Sequence, residues 1–394
     1  MRRLSIAERP DWQDTARAFG FTFHHIDGER YWDERYAYAF TLQQIEEDIE
    51  DPSAELNAMC LRLVDKIVRS EELMAKLAIP ARYYDLVANS WKNRDPSLYG
   101  RFDFAYDGTG PAKMLEYNAD TPTSIYETAF FQWHWLEQLI DQGRLPEDAD
   151  QFNSLHEALV KRFDEIVPSE SVIHFASVAD HVEDRQTVAY LEDLARQAGL
   201  EPHFVPINAI GINADGRFVD QDEMLIDRIF KLYPWEDMLR EEFAANVAGS
   251  GTQFIEPAWK ALLSNKGILP MLWAEYPGHP NLLPAAFDDD DRAKAALGPR
   301  HVRKPLFSRE GWDIELRGDG ISAQGPVGGY GAEGYIVQDY APLAQFGDRY
   351  AVIGSWIVGE DAVGLSVRED GGPITRDSAL YIPHVILEEG QAIG

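Results

Sequence analysis

Along the first hundred residues, apolar positions recur at helical spacing. In the clearest stretch Leu56, Met59, Cys60, Leu63, Val64 and Ile67 fall on one stripe, which predicts a half-buried helix with Cys60 as inert core. Residues 1–95 therefore read as mainly helical, up to the turn Asn93-Arg94-Asp95-Pro96-Ser97. The pattern then changes to alternation. Residues 101–106 and 113–118 flank a turn rich in Asp, Gly and Pro, which predicts a β-hairpin. A helix starting near Thr123-Ser124 carries Tyr126, Phe130, Phe131, Trp133 and Trp135, all expected to pack. From 150 to 245 the periods alternate. Strands are predicted at 172–176 and 203–207, with a glycine-capped helix at 184–199 between them, and this βαβ unit implies an open α/β sheet. Beyond Lys260 come short strands and glycine-rich turns, including 325–331, and a final strand pair at 350–358 and 362–367 turning at Gly359-Glu360-Asp361. The expected fold class is mixed α+β and α/β, in three segments (1–95, 96–257 and 258–394) packed as one composite unit.

The hairpin carries the chemistry. If its turn is symmetric about Thr109 and Gly110, Asp103 faces Glu116 and Arg101 faces Asn118. Alternation then puts those four polar side chains on one face and Phe102, Phe104, Leu115 and Tyr117 on the other. Opposed residues have Cβ atoms about 4.5–5.5 Å apart, so two carboxylates there repel unless positive charge sits between them. A hard cation such as magnesium suits an all-oxygen pair of this kind. Two other readings stay open. In one, Arg101 merely neutralises both acids. In the other, the carboxylates serve as a glycosidase pair, held about 5–5.5 Å apart in retaining enzymes.

Charge and composition narrow the function. The 394 residues carry a formal charge of −31, which disfavours nucleic acid and anionic lipid surfaces and suits either a cationic partner or plain solubility. The run Asp288-Asp289-Asp290-Asp291 reads as a solvated loop, since adjacent acids point in different directions. One cysteine excludes an internal disulfide framework. The N-terminus becomes charged before any apolar run of secretory length, and no window is long and apolar enough to span a bilayer, so a cytoplasmic protein is expected.

At Tyr99-Gly100-Arg101-Phe102-Asp103 and at 115–124 (Leu115 through Ser124), the chain resembles the glutathionylspermidine synthase family, including short members without the amidase domain. The resemblance continues through 231–236, Leu263-Ser264-Asn265-Lys266, 303–311, Ile336-Val337-Gln338 and Ser366-Val367-Arg368-Glu369, and so covers nearly the whole chain. It implies an ATP-grasp fold with an N-terminal preATP-grasp-like α/β region, the nucleotide lobe being 258–394. It implies an ATP- and magnesium-dependent ligase that joins a carboxylate, small or peptide, to an amine that is a polyamine in some members. By position it makes Asp103, Glu116 and Asn118 magnesium ligands, and Lys266 and Lys304 phosphate-binding lysines. Gln338 falls on the adenine-side hinge, and Arg101 and Arg368 fall near the transferred phosphate. Ser308 and Gly311 belong to a segment suited to a water-excluding lid.

On the substrate side the readings divide. Glu183 and Asp184 either hold a substrate ammonium or cap a helix, and Glu236 beside Trp235 has the same two readings. Ser124 either touches the acid substrate or starts its helix. The chain departs from the family at Thr121-Pro122-Thr123-Ser124, where small residues are usual, and at Trp312-Asp313 after Gly311. Glutathione and spermidine are therefore less firmly implied than the reaction type. The alternative from another class is an ATP-binding sensor or partner-binding module that no longer ligates.

Overall fold

A computed structural model describes residues 1–26, 28–388 and 391. The hairpin is where expected. Strands Tyr99–Ala105 and Lys113–Asn118 pair antiparallel, with Asp103 opposite Glu116 and Arg101 opposite Asn118. The turn residues Gly108 and Gly110 have φ of 91° and 69°, and Asp107 Oδ1 accepts the Thr109 amide, closing the loop locally.

One expected face is corrected. A bulge after Asp103 pairs Phe104 with Met114 instead of Leu115. One residue of slip reverses a side chain's face, so Met114 enters the core with Phe102, Phe104 and Tyr117 while Leu115 turns to the cleft. Beneath the hairpin lies the helix Asp51–Ile67, whose predicted stripe packs into the same core. Cys60 is fully buried there, and burial pushes its thiol up.

The hairpin is two strands of a larger antiparallel sheet. In order, that sheet runs Leu380–Ile382, Asp361–Asp370, Arg349–Val358, Tyr99–Ala105 and Lys113–Asn118, with Ala344–Phe346 paired to Arg349–Val358. Register places Gly354 opposite Asp103 and Arg368 opposite Val352, which brings the C-terminal arginine to the hairpin. A Cβ at Gly354 would lie 2.4 Å from Ser366 Oγ and 2.8 Å from Arg101 Cδ, so the glycine makes room for the Arg101 side chain.

Two more sheets complete the cleft. An antiparallel one runs Ala285–Phe287, Tyr335–Asp339, Arg300–Pro305, Glu315–Gly318, Ile321–Gln324. A parallel one runs Gln253–Ile255, Arg228–Lys231, Val172–Ser177, Glu201–Pro206, crossed over by the helix Val182–Gln197, as the βαβ pattern predicts. Region 1–95 holds strands as well as helices. Arg2–Ser5 and Tyr36–Phe40 form a small sheet with His384–Ile386, so the two ends of the chain meet in space.

One surface expectation needs adjusting. Trp133 is 38% exposed, although Phe131 and Trp135 of its series are buried. Within the acidic run, Asp288 accepts from Arg303 Nε at 2.8 Å and Asp290 caps the turn Asp291–Lys294, so these two aspartates are structural. Among the described residues, no group of three or more His, Cys, Asp or Glu side chains is placed to hold a metal. No helix of the described residues is long and apolar enough to cross a membrane.

Candidate functional site

The polar face of the hairpin forms one wall of a cleft of about 310 Å³. Opposite it stand the strands Arg300–Pro305 and Tyr335–Asp339, which bring Lys304 and Gln338. Lys266 arrives just beyond the short helix Lys260–Ser264. The cleft is lined by Arg101, Asp103, Glu116, Asn118, Asp184, Lys266, Lys304, Ser308, Gly311, Gln338 and Arg368. Eleven of the fifteen residues singled out from the sequence thus share one space.

Charges interleave in this wall. Arg101 Nε donates to Asp103 Oδ1 at 2.6 Å, and Arg368 Nη2 donates to Asp103 Oδ2 at 2.8 Å. Asn118 Nδ2 bridges Asp103 Oδ2 and Glu116 Oε1 at 3.2 and 3.1 Å. Lys266 Nζ lies 3.1 Å from Glu116 Oε2 and donates to the Ser308 carbonyl at 2.7 Å. Lys304 Nζ donates to the Leu115 carbonyl at 2.9 Å and to Gln338 Oε1 at 2.8 Å. Gln338 Nε2 in turn donates to the Met114 carbonyl at 3.1 Å, so the glutamine clips the lysine to the bulged strand.

The environment shifts two of these groups. Burial would raise the Glu116 carboxyl, but Lys266 and then Lys304 outweigh it and hold the group well below the usual carboxylate range. Lys304 is pushed down to about 8, first by burial and further by Lys266, against the opposing pull of Glu116. A buried lysine poised there is a cation whose charge depends on what enters the cleft.

The segment expected to act as a lid is held by contacts at both Arg309 and Gly311. Arg309 Nη2 donates to Glu236 Oε1 at 2.6 Å, and Gly311, with φ 74°, fits closely against Ile374 and Thr375. Trp312 and Asp313, the unusual pair, dock on the glycine-rich loop. Asp313 Oδ2 accepts the amides of Gly328 at 3.0 Å and Tyr330 at 2.8 Å, while a Cβ on Gly328 would strike the Trp312 ring at 2.5 Å.

Four candidates lie off the cleft wall. Trp235 is fully buried, packed on Phe254 and donating its indole N–H to the Glu256 carbonyl at 3.0 Å, so it is core, and Pro234 lines the cleft instead. Glu236 stands behind the wall, where it holds Arg309. Glu183 sits next to the lining residue Asp184, and burial raises both carboxyls. Ser124, at φ 72°, follows the lining residue Thr123 and shares a 3.0 Å hydrogen bond with Tyr31. Sequence reasoning missed Glu127, which no spacing marks out. It is fully buried, Oε1 accepts from Tyr31 at 2.6 Å, and burial, aided by Glu183, pushes its carboxyl up to about 8. It also did not single out Arg309 as a cleft-lining cation.

Comparison with known proteins adds the lineage. Residues 3–387 match the family described as glutathionylspermidine synthase preATP-grasp. The chain belongs to the glutathionylspermidine synthase preATP-grasp family. A Haemophilus influenzae protein assigned as a candidate acid–amine ligase is 40% identical, over 98% of this chain and all of that one. Trypanothione synthetase of Crithidia fasciculata is 27% identical over 82% of this chain. The bifunctional glutathionylspermidine synthetase/amidase of Escherichia coli K12 is 24% identical over 96% of it. The chain spans 52% and 64% of those two longer proteins. In structure, a glutathione synthetase-like effector from Globodera pallida, in apo form, is 11% identical with a TM-score of 0.56, each chain covered to 96%. The fold is therefore of the ATP-grasp type found in glutathione synthetase-like enzymes. Membership in this family makes the chain an ATP-dependent ligase.

Proposed function

We propose that this ligase joins a carboxylate to an amine through an acyl phosphate, with residues 258–394 as the nucleotide lobe and 96–257 carrying the hairpin and the substrate side. The observation that carries the reading is the convergence of Arg101, Arg368, Lys266 and Lys304 on two adjacent carboxylates in one cleft. Such a density of positive charge around two acids suits a triphosphate with a divalent ion. A salt-bridge network or a glycosidase pair needs no phosphate-directed lysines.

Asp103 and Glu116 are hard oxygen donors, and Asn118 offers a third once its amide turns its oxygen toward them. That donor set fits magnesium, which supplies charge neutralisation on phosphate oxygens when bound. In the proposed chemistry a substrate carboxylate oxygen attacks the γ-phosphorus of ATP, the bond to the β-phosphate oxygen breaks, and ADP leaves. Lys266, Lys304, Arg101 and Arg368 meet the charge spread over the moving phosphoryl oxygens. The amine nitrogen then attacks the acyl carbon. Phosphate departs with the electron pair of the broken C–O bond, and the nitrogen loses its proton. Ser308 Oγ is buried and has no partner among the described residues, which suits an anion arriving beside Lys266. The segment 308–311 keeps water from the acyl phosphate. Asp184 lines the cleft next to Glu183 in sequence, and the two acids suit recognition of the amine substrate.

Two measurements test this reading. Unfolding monitored with and without magnesium and ATP is expected to show stabilisation of roughly 2.7 kcal/mol at about 100 times the dissociation constant. Phosphate release is then followed with glutathione and spermidine, the pair joined in the name of the Escherichia coli relative, and with other acids and amines. Release that no acid and amine pair stimulates argues for the sensor.

Affinity for ATP is expected to depend on pH. Lys304 binds phosphate as a cation, and its depressed value of about 8 means that charge is present below that pH and lost above it. Calorimetric titration should show ATP binding weaken as pH rises through about 8, with Lys304→Met removing the dependence. A flat profile in the unmodified protein contradicts the role given to Lys304.

A further inference from the structure

The open end of the hairpin is held by a buried lysine that the chemistry above does not use. Lys260 Nζ donates to the Tyr99 carbonyl at 2.9 Å and to the Ala119 carbonyl at 3.1 Å. Tyr99 begins one strand and Ala119 follows the end of the other, so one ammonium joins the two. Its charge is met by Glu256 Oε2 at 3.3 Å, and Glu256 Oε1 accepts the amides of Leu98 at 3.0 Å and Tyr99 at 2.9 Å. Both side chains are buried.

Further along the same segment, Ser264 Oγ accepts the Ala119 amide at 3.2 Å. Two residues later Lys266 reaches Glu116. The short helix Lys260–Ser264 is thus fastened to the hairpin at its start and its end, and Lys266 extends from the fastened end. An apolar side chain would fill the same space without the desolvation cost of an ammonium. What an apolar group lacks is direction, because it cannot draw two carbonyls from two strands to one point. The strand ladder fixes Asp103 against Glu116, but it does not fix how far Lys266 stands from them.

We propose that Lys260, supported by Glu256 and Ser264, is a positioning residue that sets the gap between the hairpin carboxylates and Lys266, and hence the fit of a metal-bound triphosphate. The inference rests on the nucleotide reading of the cleft. Groups that hold a ligand set in place typically change metal affinity by about 10- to 100-fold when removed, and angstrom-scale misplacement has effects of similar size.

The test compares Lys260→Met with Leu159→Ala, a core variant in the helix Leu155–Ile166 that loses stability without removing a hydrogen bond to the hairpin. The probe is the β,γ-imido analogue of ATP with magnesium, titrated calorimetrically into the full chain, with unfolding by urea measured in parallel. Lys260→Met is expected to weaken binding by about 10- to 100-fold. Leu159→Ala should stay within about twofold of the unmodified protein. Equal binding by Lys260→Met and the unmodified protein overturns the proposal, and so does an equal loss in Leu159→Ala. If Lys260→Met does not fold, Ser264→Ala decides: binding weakened by a few-fold supports the role, and unchanged binding overturns it. An unmodified protein that binds no analogue sinks the nucleotide reading and this inference with it, a result distinct from tight binding by every variant.

Discussion

Replacing Lys304 with alanine is expected to lower substrate-stimulated phosphate release by about 10²- to 10³-fold, the effect of removing one preorganised charge donor from a water-poor site. The lysine is buried, bonded to the Leu115 carbonyl and Gln338, and lines the same cleft as the carboxylate pair. Its loss removes a cation from the phosphate path and leaves Gln338 Oε1 without its donor. Water entering the gap cannot replace a fixed ammonium, because it must reorient as charge develops. Glu116→Ala is expected to act at similar magnitude, by removing the proposed metal ligand and the partner of Lys266. Full activity in either variant, measured by phosphate release with the acid and amine pair that stimulates the unmodified protein, refutes the assigned role.

Asp120→Ala is expected to cost about 3–5 kcal/mol of folding stability, the usual effect of leaving a buried charge without its partner. Asp120 Oδ1 accepts from Lys231 Nζ at 2.7 Å, and both side chains are 1% exposed. Its other oxygen accepts the Trp235 amide at 2.8 Å. The aspartate lies two residues past the hairpin, while Lys231 ends a strand of the parallel sheet, so their bond ties the cleft wall to that sheet. Urea unfolding measures the loss. Pairing Asp120→Ala with Lys231→Met should recover much of it, since the stranded ammonium causes the penalty and a matched apolar pair is often neutral. No recovery in the double variant means that the lost Trp235 bond, and not the unpaired charge, dominates.

Local pattern carried far in this protein where its period was unambiguous. The stripe from Leu56 to Ile67 predicted its buried face because helical geometry puts those positions on one side whatever surrounds them. The pairing of Asp103 with Glu116 was legible because a turn of known length sets register by counting. Counting failed one step further on. The bulge after Asp103 moved Met114 inward and Leu115 outward, and a bulge answers to tertiary packing, which spacing does not record.

Residue chemistry was legible without place. The lysines, arginines and acids of the cleft were named from motifs, yet Trp235 belongs to the core, and Glu236 holds Arg309 from behind the wall. Adjacent residues on a short helix face different ways, and only neighbouring elements decide which way is inward.

By itself, then, the order of residues determined which segments pair locally, which faces are apolar and which charges the chain can bring to a site. The meeting of Lys266, Lys304 and Arg368 with the hairpin was decided only by tertiary structure. The same is true of the Lys260 fastening, of the buried Glu127 and of the sheet in which both ends of the chain join. The physical reason is range. Turns and periodicity act over a few residues, whereas these contacts close loops of about a hundred residues or more and form only when a common core stabilises them against the entropy of closure.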